Sequence, residues 1–120
     1  MSIELQTKYG QIEISNETIA QVCGGAAVDV YGIVGMASRN QIKDGLSEIL
    51  RKENYSKGVV VRQEEDKIHI DLYIIVGYGT KISEVAHNVQ TKVKYVLEQT
   101  LGIKADSVNI YVQSVRVTNP

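Results

Sequence analysis

Apolar and polar positions alternate from Lys67 to Ile74, and Ile75 and Val76 close the run as apolar residues. Ile68, Ile70, Leu72, Ile74 and Val76 fall on one side, and Lys67, His69, Asp71, Tyr73 and Ile75 on the other. A period of two over ten residues predicts a strand with one side against a core. At Gly77-Tyr78-Gly79 the period changes. Ile82, Val85, Ala86, Val89, Val93, Val96 and Leu97 then recur at helical spacing and predict a long helix with one buried stripe. Thr80 stands where an N-cap belongs, Glu84 puts negative charge in the first turn, and Gly102 stands where a glycine closes a helix. This strand and helix are the expected nucleus of the fold.

The remaining elements are shorter. Residues 1–8 are mixed and predict no element beyond a frayed start. In Tyr9–Ser15, Ile12 and Ile14 alternate with Gln11 and Glu13, the pattern of a short strand. Ser15 or Asn16 then caps a helix whose stripe is Ile19, Val22, Cys23, Ala26, Ala27 and Val30, with Gly32 as its stop. Gly24 and Gly25 interrupt that helix at a cost of about 1 kcal/mol each relative to alanine, which points to a close approach by a neighbouring element. Ile33–Ala37 reads as a short strand or an extended connection. From Asn40 to Lys52, the spacing of Ile42, Leu46, Ile49 and Leu50 predicts a short helix with Gly45 inside it. Val59–Glu64 predicts a strand that turns tightly through Glu64-Glu65-Asp66 into the central strand, forming an antiparallel hairpin. A final strand carries Val108, Ile110 and Val112, and the switch of its apolar face to Val115 and Val117 predicts a bulge.

The expected order is therefore strand, helix, short strand or connection, short helix, two hairpin strands, long helix, strand. Strand–helix–strand connections cross over and put their helices on one face of the sheet. The fold class that follows is α+β: a two-layer sandwich, with a mixed sheet and helices packed mainly on one face. A chain of 120 residues forms one domain, and no repeat or linker divides residues 1–120.

Composition narrows the chemistry. Thirteen basic and fourteen acidic residues leave a net charge of −1, which argues against a chain built to hold phosphate backbones. The basic residues Arg51, Lys52, Lys57, Arg62, Lys92 and Lys94 are scattered among acids, and no aromatic RNA-binding signature accompanies them. Cys23 is the only cysteine and lies on a buried stripe, so it reads as an inert core residue in a reducing compartment. No secretory leader pattern opens the chain, and no apolar run reaches the roughly 20 residues of a membrane span. A cytoplasmic protein without direct membrane insertion is expected.

No constellation for catalysis emerges. His69 and His87 are the only histidines, and neither has the spaced partners of a metal site. Glu64, Glu65 and Asp66 read as a solvated turn. Gly77, Tyr78, Gly79 and Thr80 lie between a strand and a helix, where a phosphate-binding loop would sit. A dinucleotide fingerprint, however, needs a glycine at the position of Ile82, so a tight turn with positive φ is the simpler reading. One surface exceeds ordinary expectation. If the alternation buries Ile70, Leu72 and Ile74, the other face of the sheet presents His69, Tyr73 and Ile75, with Val60 and Tyr111 from neighbouring strands. Tyrosine-centred apolar surface with a polar rim suits protein contact.

Several segments form a recognisable set: G-x-I-x-I-S at Gly10–Ser15, Ala26-Ala27, Tyr31-Gly32-Ile33, Lys57-Gly58-Val59 and Ile70-Asp71. The most specific is V-x-Y-G-x-x-I-x-E-V-A-x-x-V-Q, running from Val76 through Tyr78-Gly79, Ile82 and Glu84-Val85-Ala86 to Val89-Gln90. Together they resemble the alkaline shock protein family (YloU-like, envelope stress response proteins). The likeness spans nearly the whole chain. It departs at Tyr31, where the family commonly has proline, and at the flexible pair Gly24-Gly25. The resemblance implies a small cytoplasmic, non-enzymatic protein of Gram-positive bacteria, linked to cell-envelope stress and free of cofactors. It also implies self-association, and for some members a membrane-anchored partner that holds them near the membrane.

The leading expectation is an interaction or scaffold protein acting through protein–protein contacts. The alternatives are a small-ligand-binding regulatory domain, with Gly77–Thr80 receiving an anion or acyl-phosphate, and a nucleic-acid-binding α+β domain.

Overall fold

The computed structural model describes residues 1–43, 46–50 and 52–117. The elements follow in the order β1 (Ser2–Thr7), β2 (Gly10–Ser15), α1 (Asn16–Val28), β3 (Ile33–Lys43), β4 (Leu46–Ile49), a 3-10 helix (Lys52–Gly58), β5 (Val59–Glu64), β6 (Lys67–Gly77), α2 (Ile82–Val96) and β7 (Ser107–Arg116). The architecture is α+β. One mixed five-stranded sheet carries the core, and a separate two-stranded ribbon, β1–β2, stands beside it.

Strand β6 is central to this sheet. Along one side it pairs in parallel with β7. Along the other it pairs antiparallel with β5 over its first half and with β3 near its end. β6, α2 and β7 thus form a strand–helix–strand crossover, and β5–β6 is the expected hairpin, with Glu64 opposite Lys67. Its two turn residues adopt left-handed backbone, φ 51° at Glu65 and 67° at Asp66. The expected bulge in β7 falls at Gln113, between Val112 opposite Ile74 and Ser114 opposite Ile75.

Helices α1 and α2 cover one face of this sheet. Ile19, Cys23 and Ala27 of α1 and Val85, Val89 and Val93 of α2 meet Ile70, Leu72, Ile74 and Val76 of β6 in a single apolar core. The cap of α1 resolves to Ser15, whose Oγ accepts from Thr18 N at 3.1 Å. Gly24 explains itself by proximity: a Cβ there would lie 3.0 Å from Tyr55 Cβ, so its absence lets α1 sit on the 3-10 segment. Helix α2 continues into one widened turn at Leu97–Leu101 and is closed by Gly102 in the left-handed conformation, φ 69°.

Four expectations are corrected. The short helix expected from Asn40 to Lys52 is strand where residues 40–43 and 46–49 are described, and Gly45 and Arg51 lie outside the described residues. The competing signal in the sequence is the dipeptide Asp44-Gly45, a strong hairpin signature, and Lys43 pairs with Leu46. Second, the start of the chain is not frayed: Ser2–Thr7 pairs antiparallel with Gly10–Ser15 from Ser2↔Ser15 to Thr7↔Gly10. This register puts Ile3, Leu5, Ile12 and Ile14 on one side of the ribbon and Glu4, Gln6, Gln11 and Glu13 on the other. Third, Thr80 does not cap α2. Lys81 holds the cap position, and Thr80 Oγ1 donates to Gly77 O at 2.8 Å. The fourth concerns Ile75 and is given with the surface it was assigned to.

Candidate interaction surface

The period of two in β6 sends His69, Asp71, Tyr73 and Ile75 to the face opposite the helices. The β5 register adds Val60 opposite Asp71 and Arg62 opposite His69. The β7 register adds Ser107 opposite His69, Asn109 opposite Asp71 and Tyr111 opposite Tyr73. Three neighbouring strands therefore build one outer surface.

At its centre Asp71 is only 7% exposed. A carboxylate so placed needs partners to replace its lost water. Arg62 donates from Nε to Oδ2 at 2.8 Å and from Nη2 to Oδ1 at 3.1 Å, a forked contact across the strand pair. Asn109 Nδ2 donates to the same Oδ1 at 2.9 Å. Arg62 Nη1 also reaches Glu64 Oε1 at 2.9 Å. The hydrogen bond to Asp71 raises the guanidinium pKa above its already high ordinary value, so the arginine is a fixed cation. Ser107 Oγ shares a 2.6 Å hydrogen bond with His69 Nδ1 and accepts from Asn109 at 3.3 Å. The polar half of the surface is thus one connected network.

Beside it the rings of Tyr73 and Tyr111 stack, with centroids 4.9 Å apart and planes at 15°. Tyr111 is exposed, and Val60, His69 and Tyr73 are half-buried. The expected residues Val60, His69, Tyr73 and Tyr111 do share this face. Ile75 does not contribute to its open part, because it is fully buried outside the helix-side core. The reason is topological. β3 runs on past its pairing with β6 and returns as β4, which comes into contact with β7. The β3–β4 hairpin therefore lies over the end of the outer face where Ile75 sits, and the remainder stays open.

The candidate anion loop is a turn in which Gly77 N, Tyr78 N and Thr80 Oγ1 already donate within the protein. Gly77 N donates to Gly32 O and Tyr78 N to Arg116 O, both at 2.8 Å, and Gly79 takes φ 92°. A shallow depression of about 310 Å³ lies beside it, lined by Tyr31, Thr80, Lys81, Glu84 and Asn88 among others. The Glu84 carboxylate already occupies the first turn of α2, where an anion would otherwise be favoured. Cys23 is fully buried, and burial pushes its thiol up to about 12, well away from a nucleophilic thiolate. Among the described residues no group of three or more His, Cys, Asp and Glu side chains could hold a metal. None of their helices is long and apolar enough to cross a membrane.

The Arg62–Asp71–Asn109 network escaped the sequence reading. Half of it was accessible: a two-residue turn at Glu65-Asp66 fixes the hairpin register, which makes Arg62 and Asp71 diagonal neighbours. The other half, Ser107 and Asn109, depends on a parallel register set across α2, for which the sequence carries no local signal.

Residues 4–117 match the model of the alkaline shock protein 23 family, described as having a cell envelope-related function. The chain is 80% identical to the uncharacterized protein YloU of Bacillus subtilis over the whole of both chains. It is 50% identical to the uncharacterized protein Spy1614 of Streptococcus pyogenes, over 98% of this chain and 97% of that one. It is 33% identical to the uncharacterized protein YqhY of Bacillus subtilis, over 92% of this chain and 80% of the relative. No solved structure matches. The chain belongs to the alkaline shock protein 23 family, whose function is cell envelope-related.

Proposed function

We propose that this protein is a non-enzymatic interaction or scaffold protein of cell-envelope stress response or homeostasis. It acts in the cytoplasm through protein–protein contacts, and a membrane-anchored partner brings it close to the envelope. The observation that carries this reading is the open part of the outer sheet face. There a pre-stacked tyrosine pair, Tyr73 and Tyr111, adjoins the ordered polar network of Arg62, Asp71 and Asn109. Rigid aromatic anchors beside satisfied polar groups lose little conformational freedom on binding, which favours a protein partner.

The test is affinity purification of the tagged full chain from its own cells, wild type against Tyr73→Ala with His69→Ala, followed by mass spectrometry. The expected result is loss of a reproducible set of co-purifying proteins, membrane proteins among them, with unchanged circular dichroism. An unaltered set from a folded variant overturns the reading.

A further inference from the structure

Where β6 gives way to α2, at one end of the sheet, two depressions adjoin. The first, about 310 Å³, is lined by Lys81, Glu84 and Asn88 at the start of α2. The second, about 430 Å³, is lined by Ile33 and Val34 of β3 and by Gly77 and Tyr78. Tyr31 and Thr80 line both, which makes them two halves of one site. Close packing holds the halves together. Gly77 N donates to Gly32 O at 2.8 Å, and a Cβ on Gly32 would fall 2.7 Å from Val85 Cγ2, so glycine lets the turn before β3 lie against α2. Tyr31 and Tyr78, 90% and 75% exposed, stand at this site with their rings uncovered.

The halves differ in chemistry. Among the described residues the side chains of Lys81, Glu84 and Asn88 have no hydrogen-bond or ion-pair partner, and Lys81 and Glu84 do not pair with each other although three positions apart. The first half therefore offers an unpaired cation, an unpaired anion and an amide. A lone anion would meet Glu84 there, and a lone cation would meet Lys81. A molecule carrying both charges close together satisfies both. The second half offers the aliphatic side chains of Ile33 and Val34, the Tyr78 ring and glycine backbone. We infer that this site takes a free α-amino acid with a bulky apolar side chain. Its ammonium goes to Glu84 and the Tyr31 ring face, its carboxylate to Lys81 and the Asn88 amide, and its side chain to the half lined by Ile33, Val34 and Tyr78. Each half falls in the range of small-molecule pockets, about 300–1,000 Å³. The site shares no residue with the open outer face and stands independently of a protein partner there.

The test is titration of the isotope-labelled full chain with L-phenylalanine, read by amide NMR. The expected result is saturable shifts at Gly32–Val34 and Gly79–Asn88, with the amides of Tyr73 and Tyr111 unmoved. Further probes each lack one part of the ligand: N-acetyl-L-phenylalanine the ammonium, L-phenylalaninamide the carboxylate, and glycine the apolar side chain. Each is expected to bind at least about fivefold more weakly. Glu84→Gln should weaken phenylalanine by a similar factor yet bind N-acetyl-L-phenylalanine no worse than the wild type does. Lys81→Gln should show the same pattern with L-phenylalaninamide. This crossing of variant and probe is something that lost folding would not produce. Shifts that do not saturate, shifts confined to other residues, blocked probes that bind as tightly as phenylalanine, or variants that weaken every probe alike overturn the inference.

Discussion

Arg62 reaches diagonally across the β5–β6 hairpin to hold the buried carboxylate of Asp71 through two nitrogens, at 2.8 and 3.1 Å. Its third contact, to Glu64, is a different kind of interaction, because Glu64 lies in solvent. A buried charge that loses its partner is costly, whereas an exposed pair contributes little. Arg62→Ala should therefore lower the melting temperature by several degrees, while Glu64→Ala should leave it nearly unchanged. Arg62→Lys should not rescue the loss, since an ammonium cannot supply the fork. Thermal unfolding of the three variants in parallel checks the order.

Cys23 gives a pH dependence of definite sign. Burial raises its thiol from an ordinary 9.0 to about 12 in the folded chain. The unfolded chain then releases this proton first, so stability is full below pH 9 and falls as pH rises toward 12. The slope attributable to this group is about 1.4 kcal/mol per pH unit in that window. Cys23→Ala should start about 1 kcal/mol less stable at neutral pH and show a shallower alkaline decline. Urea titrations of both proteins from pH 8 to 11 isolate the difference, because other ionisations are shared.

The adjacent glycines of α1 should respond in opposite directions. Gly25 faces solvent, and a Cβ there meets nothing within 4 Å, so Gly25→Ala should stabilise by roughly 0.5–1 kcal/mol through helix propensity. A Cβ on Gly24 would come within 3.0 Å of Tyr55 Cβ and 3.2 Å of its carbonyl oxygen. Gly24→Ala should therefore destabilise by about 1 kcal/mol despite the better propensity. Chemical denaturation midpoints decide both.

The β5–β6 turn holds two non-glycine residues in left-handed backbone, Glu65 and Asp66. That conformation costs roughly 1–2 kcal/mol per residue for side chains other than glycine, and somewhat less for aspartate. Asp66→Gly should recover about 0.5–1 kcal/mol after allowing for the greater freedom of glycine in the unfolded chain. A fall in stability on this substitution would show that Asp66 serves a contact outside the turn.

Long periodic stretches made most of the fold legible. Five alternating aliphatics identify β6, and the stripe from Val85 to Leu97 identifies α2. Both patterns persist because each element has one face in the same core. The failures share a physical cause, which is competition over short windows. Ile42, Leu46, Ile49 and Leu50 have helical spacing over about two turns only, and the strand pairing of Lys43 with Leu46 prevails over it. Ile3 and Leu5 alternate correctly, but six residues gave too little contrast to separate a ribbon strand from a loose end. Ile75 was placed on the right face and given the wrong environment. Whether a sheet face is open depends on what a distant hairpin does, and β3–β4 is 26 residues or more away in sequence from Ile75. The open face itself was half legible: alternation assigns Tyr73 and His69, while the parallel partners Tyr111, Asn109 and Ser107 owe their places to the length and path of α2.

β6 shares a ladder with each of β3, β5 and β7, and those three strands share none with one another. It is the hub of a wheel without a rim. Among the described residues only the β3–β4 pair can hold together once it leaves, so the sheet depends on one strand where a meander would depend on several. Deuterium should enter the amides of Ile70, Leu72 and Ile74 last and together, at the rate at which the whole molecule opens.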